Sequence, residues 1–147
     1  CNKKDFTINE TLNYLNKKCG MLGLSGVSSD FRDLTMGNAF DNPRNKLAVD
    51  IFAYSIKNYI GRYAAVMNGC DCIVFTAGVG ENTPYVRYNA CVDMEYLGVK
   101  IDKDKNENCP RGEIADISAK DSKVKILVIP TNEELVIARE TKRIVNI

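Results

Sequence analysis

The sequence predicts a layered α/β domain, with helices packed on a sheet. Three observations carry that prediction. Two short apolar runs, Cys72-Ile73-Val74-Phe75-Thr76 and residues 123–129, read as strands. Helical patterns precede, separate and follow them, giving the order helix–strand–helix–strand–helix. Each apolar run ends in a polar turn that opens a helix, and open α/β sheets hold their ligands where strand C-termini meet helix N-termini.

The elements follow in chain order. Residues 7–19 predict a short helix capped by Thr7 or Asn9, with Leu12 and Leu15 on one face. Gly20, Gly23 and Gly26 then predict a loop, and the polar stretch from Ser25 to Asp33 reads as turns. Asp41-Asn42-Pro43 is a strong helix start, a capping side chain followed by proline at the first helical position. From Leu47 to Met67, through Ala48, Ile51, Phe52, Ile56, Tyr59, Ile60 and Tyr63, apolar residues keep a helical period until Asn68-Gly69 supplies a stop. The run 72–76 is continuous enough for a strand covered on both faces. Thr83-Pro84 starts a helix over about 84–94, residues 98–101 and 114–117 are candidate strands, and residues 133–145 form a last helix.

At 147 residues the chain has the size of one domain. Twenty basic residues against nineteen acidic ones leave a net charge of +1, which argues against a general nucleic-acid or membrane-surface binder. No apolar run approaches the ~20 residues of a membrane span. Histidine is absent, which excludes Ser-His and Cys-His catalysis and histidine-ligated metals within this chain. Six cysteines without CxxC pairs read as reduced thiols, Cys72 in a buried strand and Cys91 on a helix. Because the first residue is Cys1 rather than Met, the expectation is a processed product or a piece of something longer.

Three segments are candidate sites. In Ala77-Gly78-Val79-Gly80-Glu81-Asn82 two glycines let backbone approach a ligand, and free N–H groups there could meet phosphate or ribose oxygens; the plainer explanation is a tight turn that needs positive φ. In Ser29-Asp30-Phe31-Arg32 a ring or guanidinium could stack on a flat base while Asp30 accepts a proton; the plainer explanation is a helix cap with a surface ion pair. In Pro130-Thr131-Asn132-Glu133-Glu134 the Thr131-x-x-Glu134 spacing is a capping box. That leaves Glu133, which could hold Mg²⁺ or simply favour the helix dipole. The seven tyrosines have the helical spacing of core or interface residues rather than of a stacking platform.

Together and in this order, Ser28-Ser29-Asp30-Phe31-Arg32-Asp33, Phe75-Thr76-Ala77-Gly78-Val79-Gly80-Glu81-Asn82 and Val128-Ile129-Pro130-Thr131-Asn132-Glu133-Glu134-Leu135 resemble the C-terminal part of the acetate kinases. Tyr59-Ile60-Gly61-Arg62-Tyr63 and Leu97-Gly98-Val99 are similar to that family as well. The resemblance implies an actin-like ATPase, ribonuclease-H-like fold with a mixed sheet flanked by helices. It makes residues 1–147 the C-terminal nucleotide-binding domain, the N-terminal domain being absent. It further implies reversible transfer of the γ-phosphoryl of ATP to acetate, giving ADP and acetyl phosphate, with Mg²⁺.

By the same resemblance Asp30, Phe31 and Arg32 contact adenosine, Gly78, Val79, Gly80, Glu81 and Asn82 line the nucleotide, and Glu133 is the Mg²⁺-linked carboxylate. The family's catalytic residues, acceptor pocket and phosphate loop come from upstream segments, so this chain carries no catalytic residue and is expected to be inactive alone. Phosphoryl transfer rests on positioning and charge neutralisation, which half a cleft does not supply. The resemblance also implies a cytoplasmic homodimer that binds ATP or ADP and neither nucleic acid nor membrane. The alternatives are the same part of a propionate or butyrate kinase, or a non-catalytic dimerisation module built on the long tyrosine-bearing helix.

Overall fold

The computed structural model describes residues 5–145. They fold as two compact units, Cys1–Arg62 and Tyr63–Ile147.

In the first unit, α1 (Ile8–Lys18) opens on a capping box: Glu10 N–H reaches the Thr7 hydroxyl at 3.3 Å, and Thr7 N–H reaches the Glu10 carboxylate at 2.8 Å. Where the three glycines predict only a loop, the chain makes one more helical stretch, α2 (Met21–Ser25), between Gly20 and Gly26. Both flanking glycines have positive φ, so they bound a helix rather than dissolve it. Next come α3 (Phe31–Thr35), a 3₁₀ turn (Gly37–Asp41) and α4 (Pro43–Met67).

The start and stop of α4 match the sequence reading. Asn42 accepts from Arg44 N–H at 2.9 Å, and Gly69 N–H closes on the Ala64 carbonyl at 2.8 Å with Asn68 and Gly69 at positive φ. Its buried face differs from the apolar stripe that the period picks out. Ala48, Val49, Ala53 and Ala64 are buried, while Leu47, Ile51, Tyr54, Tyr59, Tyr63 and Met67 face solvent. Small side chains let the helix approach its neighbours closely, and the larger ones are left outside. The tyrosines of α4 are therefore not core.

The second unit is built on a three-stranded sheet of order β1-β3-β2, with β1 (Cys72–Phe75), β2 (Ala115–Asp116) and β3 (Lys125–Val128). β1 runs parallel to β3, from Cys72 opposite Lys125 to Phe75 opposite Val128, and β2 is antiparallel to β3. Residues 98–101 contribute only two isolated bridges, Val99 to Val124 and Ile101 to Ser118. The expected strand there is too irregular to form a ladder. Helices α5 (Ala77–Asn82), α6 (Pro84–Cys91) and α7 (Lys103–Glu107) pack in sequence, and α8 (Glu133–Val145) closes the described chain.

The expectation that β1 is covered on both faces fails. It lies at the sheet edge, Phe75 is buried, and Cys72 and Val74 are exposed. An apolar run reports what a strand can bury, not what this chain supplies to bury it. Cys72 is thus no core thiol, whereas Cys91 on α6 is buried. Among the described residues no disulfide joins Cys19, Cys70, Cys72, Cys91 or Cys109; Cys1 lies outside them.

Two devices lock the sheet. Ile126 and Val128 are buried on one face of β3. On its other flank, Asp116 accepts from Ser118 N–H at 2.9 Å, from the Ser118 hydroxyl, and from Lys125 Nζ at 2.8 Å. The Ser118 hydroxyl in turn accepts from Ile126 N–H at 2.9 Å. One carboxylate thereby ties β2 and the Ser118 turn to Lys125 of β3, and these donors hold its pKa well below the usual carboxylate range.

Candidate functional site

Because β1 and β3 are parallel neighbours in register, both end at the same edge of the sheet. Two sequence-predicted segments leave from that edge, the glycine-bearing one as α5 and the Thr131–Glu133 one as the entry to α8. Three hydrogen bonds join them. The Thr76 and Thr131 hydroxyls meet at 2.8 Å, Ala77 N–H donates to the Thr131 hydroxyl at 3.0 Å, and Thr131 N–H donates to the Glu81 carboxylate at 2.9 Å.

Thr131 therefore does not act in the capping box that its spacing predicts. The cap of α8 is Asn132, whose side chain accepts from Leu135 N–H at 2.9 Å. A capping box and a side chain shared between two strand ends leave the same local sequence pattern, and only the parallel pairing of β1 with β3 decides between them.

The six residues of the glycine segment divide into two groups. Gly80 lies against the strand: a Cβ there would come within 3.3 Å of the Phe75 backbone carbon. Glu81 holds Thr131, and the Asn82 amide donates to the Gly78 carbonyl at 2.9 Å. These three side-chain or backbone positions maintain the segment. Gly78, by contrast, has nothing within 4 Å of where a Cβ would stand, so its surface is open, with half-buried Val79 beside it. Ala77, at the corner between β1 and α5, has φ 60°. A non-glycine residue in the left-handed region is a local strain, and such strain gathers at functional loops.

Below this segment lies a buried cation that sequence reading missed. Arg87 on α6 is 1% exposed and, among the described residues, pairs with no carboxylate. Its Nη1 donates to the carbonyls of Gly80 and Glu81 at 2.9 and 2.8 Å; its Nε and Nη2 donate to the Asn106 side-chain and backbone oxygens at 2.8 and 2.9 Å. Asn106, also 1% exposed, donates in turn to the Pro84 carbonyl at 2.9 Å. Burial pulls the Arg87 pKa below its ordinary value. An arginine four residues into a short helix carries no sequence signal that separates it from a solvated one.

The Glu133 side chain is exposed at the first turn of α8 and, among the described residues, makes no hydrogen bond or ion pair. Among the described residues no cluster of three or more His, Cys, Asp or Glu could hold a metal ion. The open Glu133 carboxylate is a donor of the kind Mg²⁺ takes, since that ion commonly binds one or two protein carboxylates and fills the rest of its shell with waters and phosphate oxygens.

In the first unit, Asp30 caps α3 by accepting from Arg32 N–H at 2.9 Å, and binds the Arg32 guanidinium through two contacts of 3.0 and 2.6 Å. Those contacts hold the Asp30 carboxyl down at about 2. Phe31 is half-buried with its ring tilted against Phe52, the centroids 5.1 Å apart. The ion pair and the cap are thus both present, while the Arg32 side chain stays largely exposed and presents its outer face to solvent.

A model of the Acetokinase family matches residues 1–139. The chain is 57% identical over 143 residues to an acetate kinase of Acetivibrio thermocellus, covering 97% of this chain and 35% of that protein. It spans about a third of the length of the curated relatives it matches. Among solved structures it is similar to Porphyromonas gingivalis acetate kinase, with TM-score 0.88 and 42% identity over 98% of this chain and 36% of that one. It is also similar to a propionate kinase from Francisella tularensis, with TM-score 0.79 and 37% identity over 92% of this chain and 34% of that one. The mixed sheet with its flanking helices is accordingly the actin-like ATPase architecture, and this chain belongs to the acetokinase family.

Proposed function

We propose that this chain is the adenine-nucleotide-binding part of a longer acetate kinase. The observation that carries the reading is the joining of two strand-end segments through Thr76, Thr131 and Glu81, which leaves Gly78 open beside Val79. ATP or ADP lies along that open surface of the second unit; within the first unit, Asp30, Phe31 and Arg32 are the proposed adenosine contacts. In the whole enzyme the bond from the γ-phosphorus to the β,γ-bridging oxygen breaks and one to an acetate carboxylate oxygen forms, giving ADP and acetyl phosphate.

Glu133 would hold Mg²⁺, which supplies charge neutralisation at the phosphates when bound. The residues of this chain bind and orient the nucleotide. Among the described residues there is neither an acceptor pocket nor a set of cations aimed at the transferred group, which supports the reading that the isolated chain is inactive. The protein works as a cytoplasmic homodimer that uses the exposed tyrosine face of α4. No helix among the described residues is long and apolar enough to cross a membrane.

A second acceptor is supported by one observation, the likeness to a solved propionate kinase. The acceptor site lies outside the segments described, so the two readings share the same nucleotide chemistry here.

The test is calorimetric titration of the chain with ADP, with and without Mg²⁺. Binding that Gly78→Val weakens is the expected result. No binding at millimolar ADP would mean that the surface does not receive nucleotide by itself. Acetyl phosphate formation by the purified chain would overturn its inactivity.

A further inference from the structure

We infer that Arg87, with Asn106 as its partner, is a positioning residue for the nucleotide segment: it fixes α5 from beneath and so sets where Gly78 and Val79 stand. This rests on the nucleotide reading given above.

The argument starts from the end of a short helix. The last carbonyls of any helix lack intrahelical partners and need others when they are buried. Four consecutive carbonyls toward the end of α5, Gly78 to Glu81, are each taken. The Asn82 amide holds Gly78 O, Thr83 N–H holds Val79 O at 3.1 Å, and the Arg87 Nη1 holds Gly80 O and Glu81 O together. The same guanidinium is anchored on the far side by both oxygens of Asn106 in α7. A six-residue helix has little stability of its own. Its placement comes from what grips it, and the grip is one planar fork spanning α5 and α7.

Neither residue has a cheaper explanation. Burying a guanidinium without a carboxylate is unfavourable unless its N–H groups are well used. Only arginine presents parallel N–H donors in a rigid plane, and the Asn106 amide both accepts from Nε and donates to Pro84 O. Lysine keeps the charge but offers one donor centre, so it can hold α5 or Asn106 and not both. Asn106→Asp would keep the acceptor and lose the donor.

The experiment uses the full-length kinase that carries this chain, with Arg87→Lys, Asn106→Asp and, as a control for plain destabilisation, Ile126→Val in the sheet. Steady-state kinetics, ADP affinity and amide exchange are read on each. The expected result is a nucleotide KM raised about tenfold or more in Arg87→Lys with the acetate KM unchanged. Amides of residues 79–82 should exchange faster in the same variant, while those of β3 keep their protection. Asn106→Asp should move the same quantities in the same direction, and Ile126→Val should lower Tm and leave the nucleotide KM unchanged.

A nucleotide KM that stays at the parent value in folded Arg87→Lys overturns the inference. So does an equal rise for both substrates, which would mark a general loss of structure. If Arg87→Lys does not fold, Asn106→Asp decides by the same two readouts. A parent protein that does not bind ADP overturns the nucleotide reading itself and with it the role assigned here; the exchange of residues 79–82 then separates that failure from a failure of the clamp.

Discussion

Thr131 N–H donates to the Glu81 carboxylate at 2.9 Å, fifty residues away in sequence. The contact joins the turn after β3 to the helix after β1, and it is backed by the Thr131 hydroxyl, which accepts from Ala77 N–H and meets Thr76. Two strand ends that parallel pairing brings close are thereby held as one unit.

Thr131→Val keeps the side-chain shape and removes the hydroxyl. The hydrogen bonds concerned are exposed, so the loss of stability should be about 1 kcal/mol. ADP affinity should fall several-fold, because the freed segment is the one proposed to face nucleotide. Denaturant midpoints and calorimetry on the same samples check both. An ADP affinity equal to that of the parent would show that the tie is structural only.

The two glycines of α5 should respond oppositely to alanine. At Gly78 a methyl meets nothing within 4 Å, so helix propensity should raise stability by about 0.5–1 kcal/mol. At Gly80 the methyl comes within 3.3 Å of the Phe75 backbone, which pairing with Val128 prevents from yielding. Overpacking of that kind costs about 1–3 kcal/mol. Equal midpoints for the two variants would sink this division of roles.

Acid should unfold the chain through Asp30 and Asp116. Both carboxyls are held below their ordinary value of 3.8, Asp30 at about 2 by Arg32 and Asp116 further down by Lys125 and Ser118. A folded pKa below the unfolded one gives stability that is complete above about pH 4 and is lost as pH falls through the folded value. Urea midpoints measured from about pH 6 to about pH 2 should therefore hold level and then drop. Asp116→Asn should lower the plateau and flatten the drop; an unchanged acid limb would contradict the assignment.

The exposed apolar side chains of α8 should drive association. Leu135, Val136, Ile137, Ile144 and Val145 are each more than 40% exposed, and no residue of the helix is buried. Light scattering on the chain should show a concentration-dependent rise in mass, reduced by Ile137→Lys together with Ile144→Lys. A monomer at high concentration in the parent would refute this.

What the sequence determined by itself is local. Pro43 opens α4 and Asn68-Gly69 ends it because these residues impose backbone angles and caps wherever they stand. The start of α8 at Glu133 is capped by Asn132, within the polar turn that the sequence places there. The apolar runs that become β1 and β3 were legible as strands, and the glycine-bearing segment between β1 and α6 was legible as a candidate site. The resemblance to a family was carried by three short segments whose residue order is a property of the chain alone.

Only tertiary structure decided the rest. It made β1 an edge strand with an exposed face, because coverage depends on what else is present. It turned the buried side of α4 toward alanines, because packing selects by shape as well as by hydropathy. It took Thr131 out of a capping box, because a hydroxyl bonds to whichever donor the fold places nearest. And it put Arg87 beneath Gly80 and Glu81, where four neutral oxygens hold it. A helical period says which way a side chain points; whether water or a row of carbonyls waits there depends on residues far along the chain.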